Sequence, residues 1–336
     1  MSALTRFVGG LLMAVGMTGC GAFDGWLDHG EPELVIKGRR GGSATSGSRT
    51  SRTCRRRPRE RSGLDLWLPL PSSTAAQRVT IEDIATPVAY GLATDPATGT
   101  RMIHMTFADD ALRETSIAIT CRVRSIERKR DDERSAFTDA PKPRDLMPDA
   151  LAPWNAGPEA MAKAAAGPTE DPLEAGRAFY RAVLDHMRYS KDGTGWGRGD
   201  VAHACSAGFG NCTDFHSLFI AMARSRGIPA RFIMGFPLPE TRGSGEVKGY
   251  HCWAEFWVDG IGWVPVDASE ADKHPELADY YFGSLTADRV AFTQGRDLTL
   301  VPPQQGPPLN FFIYPYAELD GVPFDGVTRS FAFEDV

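Results

Sequence analysis

Gly210-Asn211-Cys212-Thr213-Asp214-Phe215-His216 is the stretch on which the reading of this chain turns. Apolar residues at 215, 218, 219 and 222 recur at helical spacing. Gly227, with Pro229 just beyond, supplies a C-terminal stop. The spacing predicts a helix that begins between Asn211 and Thr213 and sets Cys212 in or just before its first turn. A helix N-terminus offers free backbone N–H groups and the positive end of the peptide dipole, and both favour a thiolate. An unperturbed thiol is only a few per cent ionised at pH 7, so the placement suits a nucleophile. The preceding Ala207-Gly208-Phe209-Gly210 lets backbone approach a substrate carbonyl.

Downstream, residues 231–234 and 250–258 read as strands, Asp259-Gly260 as a turn, and residues 263–267 as the hairpin partner. The length of that turn decides what can meet. If only Asp259 and Gly260 form the loop, His251 lies opposite Ala268 and Asp267 points to the other face. With one more residue in the turn, or one bulge, His251 lies opposite Ser269 and shares a face with Asp267 on the diagonal. Pro265, which cannot donate to a ladder, fits a bulge or an edge strand.

Cys212, His251 and Asp267 are then the parts of a thiol acyl-transfer site. Cys212 attacks an amide carbonyl and forms a thioester. His251 pairs with the thiolate and protonates the leaving amine, and Asp267 fixes the imidazole tautomer. The Cys212 N–H supplies one oxyanion donor, with Trp196, Ser206 and Asn211 as candidates for the second. Trp253, with Tyr250, Phe256, Trp257 and Trp263, reads as core and groove wall. A competing arrangement joins Cys212 and His216, one helical turn apart, to His203 and Cys205 as a zinc site, but leaves His251 and Asp267 without a purpose. The triad needs no metal and no cofactor.

Three runs in this order resemble the transglutaminase-like superfamily of papain-fold thiol enzymes: Gly210 to Asp214, Gly249-Tyr250-His251-Cys252-Trp253-Ala254-Glu255, and Gly262-Trp263-Val264-Pro265-Val266-Asp267. The resemblance spans about residues 170–290. It implies an α+β fold, with a papain-like core in which the Cys-bearing helix packs on an antiparallel sheet. It also implies Cys212, His251 and Asp267 as the triad, and a small all-β domain ahead of the core. Peptide or protein amides are the implied substrate class. Hydrolysis is favoured slightly over amine transfer, that is, protein crosslinking. A catalytically idle peptide-binding module is the alternative from another class.

The rest of the chain is organised around this core. Arg6, the apolar run from Phe7 to Met17 and Thr18-Gly19-Cys20 read as a signal peptide over residues 1–19, too short to span a membrane. Met17-Thr18-Gly19-Cys20 resembles a lipobox. That implies lipid on Cys20 and a bacterial envelope location, on the outer membrane facing the periplasm. An ordinary signal peptide and a secreted or periplasmic protein is the other reading. Residues 20–63 are the anchor and a linker rich in Arg, Ser and Gly, without apolar period. That linker could lie along anionic surfaces, act as a solvated tether, or reflect a shifted reading frame.

Residues 64–130 read as a small β domain, with strands at 64–68, 102–107 and 116–123. Residues 131–168 read as a Pro/Ala-rich linker. Residues 169–336 form the catalytic domain, closed by C-terminal strands or packing segments. Its first helix has Asp171 as N-cap, Pro172 at the first position and an apolar face of Phe179, Tyr180, Val183, Leu184 and Met187. An oxidising compartment would permit a Cys205–Cys252 disulfide. The net charge of −6 gives no global reason to expect nucleic-acid binding.

Overall fold

A computed structural model of the chain describes residues 5–17, 63–108, 115–133, 136–240 and 243–336. Its N-terminal part is built from β1 (Thr5–Met17), β2 (Gly63–Leu70), β3 (Gln77–Ala85), β4 (Tyr90–Thr94), β5 (Arg101–Ala108) and β6 (Thr115–Ile126). Four helices follow, α1 (Gly157–Ala166), α2 (Pro172–His186), α3 (Val201–Ala207) and α4 (Cys212–Ser225). Then come β7 (Ala230–Pro237), β8 (His251–Val258), β9 (Gly262–Val266), α5 (Ala268–Lys273) and β10 (Arg289–Gln294). The chain ends with β11 (Tyr316–Leu319) and β12 (Thr328–Asp335).

α4 begins and ends where its sequence directs. Asn211 caps it, Cys212 is its first residue, and the chain leaves at Gly227 with φ of 71°. The expected apolar face is fully buried at Phe215, Leu218, Phe219 and Met222. Burial goes further than one face: every residue from Cys212 to Arg224 is buried. Small side chains such as Ala221, which packs with Val201 of α3, let α1, α2 and α3 close against it. Fully burying each large apolar side chain is worth roughly 1.5–3 kcal/mol, which makes α4 the central pillar. α2 starts as expected, with the Asp171 side chain accepting from the N–H groups of Leu173 and Glu174. Ala162 of α1 is fully buried, so the predicted linker contains a packed helix.

The core sheet is antiparallel in the order β9-β8-β7-β10. Trp257 pairs with Trp263 and Val258 with Gly262, leaving Asp259, Gly260 and Ile261 as a three-residue turn. The longer of the two turns is therefore the one present, and extending its register sets Ser269 opposite His251. Pro265 lies on β9, the edge strand, where its missing N–H costs the ladder nothing.

Two further sheets join distant segments. One runs β11-β2-β5-β4, with the short strand Val322–Pro323 beyond β11. The other runs β12-β1-β6-β3, with Ser244–Glu246 beyond β12. The C-terminal strands thus complete the N-terminal sheets instead of closing the catalytic core, and the expected boundary at residue 130 does not contain the β domain. The apolar run expected to stand outside the fold as a leader is β1, paired with β6 on one side and β12 on the other. An extended apolar segment satisfies its backbone groups between two strand edges, and Met13 is buried there. Cys20, Cys54 and the arginine-rich linker lie outside the described residues. Among the described residues no helix is long and apolar enough to cross a membrane.

Candidate active site

The start of α4 is held by its neighbours as well as by its own cap. Asn211 Oδ1 accepts from the Thr213 N–H at 2.9 Å. The Asp214 carboxylate accepts from three backbone N–H groups: Asn211 at 2.9 Å, Gly197 at 2.6 Å and Gly199 at 2.9 Å. One side chain therefore closes a capping box and ties the Gly-rich loop at 193–200 to the helix start. Gly197 and Gly199 have φ of 84° and 63°, a backbone region in which glycine is favoured. Cys212, as the first helical residue, has an N–H without an intrahelical acceptor.

Three elements bring the candidate residues together. Cys212 enters from α4, His251 opens β8 and Asp267 caps α5 just beyond β9. All are buried, with Cys212 3 % and His251 6 % exposed. His251 Nε2 donates to Asp267 Oδ2 at 2.6 Å. That commits Nε2 and leaves Nδ1 for the Cys212 thiol, whose charge is coupled to that of the ring, with Glu270 Oε1 4.0 Å from Nδ1. Asp267 is held in turn: Oδ1 accepts from the Glu270 N–H at 3.0 Å and Ser269 Oγ at 3.1 Å. Arg289 Nη1 donates to its Oδ2 at 2.6 Å.

The electrostatics follow from this arrangement. The thiol of Cys252, hydrogen bonded to Cys212, holds the Cys212 thiol well below its usual range. Burial opposes that charge, and the hydrogen bond and positive charge of His251 support it. For His251, burial disfavours the imidazolium, but Asp267 and then Cys212 push it up to about 9. Burial alone would raise Asp267, but the charges of His251 and Arg289 hold it well below the usual carboxylate range. Burial pushes Cys252 well up, so Cys212 is the partner that ionises. The ionised ground state is thiolate–imidazolium–carboxylate, with Arg289 behind the carboxylate.

Several expectations are corrected here. Trp196 Nε1 donates to Gly193 O at 3.2 Å, and Ser206 Oγ donates to Ala202 O at 2.8 Å. Both are used within their own segments and do not serve as oxyanion donors. Asn211 Nδ2 donates to Tyr250 Oη at 3.1 Å, so it too is engaged. Trp253 is buried, and its ring centroid lies 6.4 Å from that of His251. Cys205 sits against Met161 Sδ at 3.8 Å while Cys252 lies between Thr213 and His216, so these two cysteines are free and do not pair. The ligands of the zinc arrangement are dispersed, with His203 edge-on to Phe209 at 5.1 Å and His216 facing Asp267.

Three residues of the site, Arg289, Cys252 and His216, were not read from sequence in the roles they take. Arg289 came with a strand, residues 289–294, that was not read from the sequence. Cys252 had been read only as a possible disulfide partner for Cys205. His216 is fully buried and accepts from the Ala268 N–H through Nε2 at 3.1 Å, with Cys252 Sγ 3.7 Å from Nδ1. It fixes the turn that carries Asp267. Burial keeps it below the usual imidazole range, hence neutral. An arginine within the alternating apolar run at 289–293 was the available signal for Arg289.

A thiol at the start of a central helix thus meets an imidazole that opens a strand of an antiparallel sheet and a carboxylate just past the neighbouring strand. Residues 159–268 match the family model of the transglutaminase-like superfamily. A curated protein of uncharacterised function from Haemophilus influenzae is 34 % identical over an alignment covering 46 % of this chain and 51 % of that one. The chain thus spans about half the length of that relative. Among solved structures, a provisionally described cysteine protease from Cytophaga hutchinsonii superposes with a TM-score of 0.55 at 14 % identity, covering 100 % of this chain and 92 % of that one. At that identity the likeness concerns the fold.

Proposed function

We propose that this protein is a cysteine-dependent enzyme that transfers acyl groups from amide bonds through a thioester on Cys212, with water as the usual acceptor. The observation that carries the reading is the burial of Cys212, His251 and Asp267 together, with His251 bonded to Asp267 at 2.6 Å and its charge coupled to the Cys212 thiol. In this reading the Cys212 thiolate attacks the amide carbonyl, and the imidazolium of His251 gives its proton to the departing amine. His251, now neutral, then takes a proton from water as it attacks the thioester, whose C–S bond breaks to release the carboxylic acid and restore the Cys212 thiolate beside the imidazolium. The Cys212 N–H at the helix start faces the developing oxyanion. Enclosure of Cys212 and His251 favours water over a second protein side chain as the group that resolves the thioester. The fold shared with a protein described as a cysteine protease agrees with this choice.

A peptide and amine substrate screen tests it. Cys212→Ala abolishes turnover and His251→Ala lowers it by several orders of magnitude. Retained turnover in either variant would refute the mechanism, and amine incorporation in preference to hydrolysis would reassign the acceptor. Met17-Thr18-Gly19-Cys20 adds a location to the proposal: lipid on Cys20 would hold the enzyme at a bacterial envelope surface, where its substrates are peptides or proteins.

A further inference from the structure

The core sheet has a second face, and it is not inert. On β8, Cys252 and Phe256 point toward α4, against His216 and Phe219. Trp253 and Glu255 point the other way, as alternation along a strand requires. On that reverse face, between the sheet and the N-terminal β structure, lies a cavity of about 100 Å³. Thr74 and Gly99, both exposed, mark its mouth. A water needs about 10–15 Å³ of such space, so the cavity holds a molecule of several heavy atoms but not a folded peptide segment.

The polar atoms on its walls are unusual in one respect. Among the described residues, six buried side-chain nitrogen or oxygen atoms have no hydrogen-bond partner. Four belong to residues lining this cavity: Ser72 Oγ, Arg128 Nε, Trp253 Nε1 and Thr293 Oγ1. All four can donate, and the two nitrogens can do nothing else. The acid on the wall, Glu255, has both oxygens engaged, by Arg128 and by Arg231 Nε at 2.6 Å. Leaving a buried donor unsatisfied costs roughly 1–3 kcal/mol, so four around one space point to a missing acceptor. Arg128 and Arg231 share Glu255, Arg231 also donates to Asp139 at 2.8 Å, and Arg289 donates to Asp267, so the charges of the lining are paired and its unmet demand is the four orphaned donors, while Ile233, Leu285 and Phe292 leave part of it apolar.

We propose that this reverse-face cavity, walled by Ser72, Arg128, Trp253 and Thr293, binds a small monocarboxylate with a short apolar body. The carboxylate oxygens accept from the four orphaned donors and the alkyl part lies against Ile233 and Phe292. The site is separate from Cys212 and adjoins the candidate active site through Arg289, which lines the cavity and also holds Asp267. It stands whether or not the chain is an enzyme.

The test is titration calorimetry of the full chain with butyrate, with inorganic phosphate and the neutral butyramide as comparisons. Butyrate binding with a rise in Tm is expected, with butyramide and phosphate at least about tenfold weaker. Thr293→Val and Ser72→Ala each remove one unpartnered hydroxyl from the empty cavity, so both variants fold as stably as wild type. Each weakens butyrate about tenfold. Absence of butyrate binding at about 10 mM, or wild-type affinity in both variants, overturns the proposal. Tighter binding of phosphate than of butyrate overturns the carboxylate assignment, and so does a crystal structure grown with butyrate in which the cavity holds only water.

Discussion

Replacing Asp267 by Asn changes one oxygen for an NH₂ and leaves the shape of the site intact, so it isolates the charge behind His251. Burial by itself would disfavour the imidazolium, yet His251 titrates at about 9 instead of 6.5, with Asp267 the leading favourable cause. That rise corresponds to roughly 3 kcal/mol of preference for the charged ring. The thiolate of Cys212 supplies part of it, so the expected fall in Asp267→Asn is about one to two pH units.

The sign carries through to stability. A histidine raised on folding stabilises fully below about 6.5, and this contribution is lost as the pH rises through about 9. Asp267→Asn therefore destabilises more at pH 6 than at pH 10. The loss of the negative charge that Arg289 pairs with adds a component that depends little on pH over this range. The assay is nitrogen NMR of histidine-labelled protein, with the His251 resonance assigned by its disappearance in His251→Gln. Unfolding in urea at the two pH values measures the stability arm. If His251 titrates at the same pH in Asp267→Asn as in wild type, Asp267 is not what holds its charge, and the relay is wrong.

Asp214→Ala removes the acceptor of three backbone N–H groups and should cost about 3 kcal/mol, with the loop at 193–200 detaching first. A loss below about 0.5 kcal/mol in denaturant unfolding would show that the clamp does not matter. At the N-terminus the sequence and the fold make opposite demands on the same residues. A lipid-bearing Cys20 requires removal of residues 1–19, whereas β1 between β6 and β12 requires Thr5–Met17 to stay. Mass spectrometry of protein from a bacterial envelope separates them: acylated Cys20 as the first residue supports the anchor, and an intact N-terminus supports the strand.

Much of the site was legible because local chemistry wrote it. The Asn-Cys-Thr-Asp start, the Gly227 stop and the apolar positions of α4 act within a few residues of one another, and the helix obeys them. The condition set on the 251–267 hairpin was local as well, and the three-residue turn meets it. What the sequence did not display depends on partners far away in the chain. β11 pairs with β2, with Tyr316 opposite Trp67, and backbone hydrogen bonds of that kind leave no mark on either segment alone. Arg289 reaches Asp267 from a strand whose place in the sheet is set by β7.

The oxyanion candidates failed for a related reason. Trp196 and Ser206 were near the site in sequence, but a nearby carbonyl in their own segments accepts from each. Asp214 stands in the first turn, where an acid suits a helix start, and does more than that, because it also clamps a loop that carries no sequence signal of where it docks. The run at Phe7–Met17 shows the limit most plainly: an apolar stretch of that length suits a leader and a strand equally.

The central claim is that Cys212 is held as a thiolate by His251 and its surroundings, and the rate of alkylation of Cys212 by iodoacetamide as a function of pH tests it most directly. Peptide mapping resolves the sites, and the other described cysteines are a built-in control: burial pushes Cys121 up to about 11 and raises Cys205 and Cys252. The account predicts that Cys212 is labelled selectively at pH 6, and that its rate is level up to the titration of His251 at about 9. A Cys212 rate that is negligible at pH 6 and climbs only through about 8.5, as an ordinary thiol does, would contradict it.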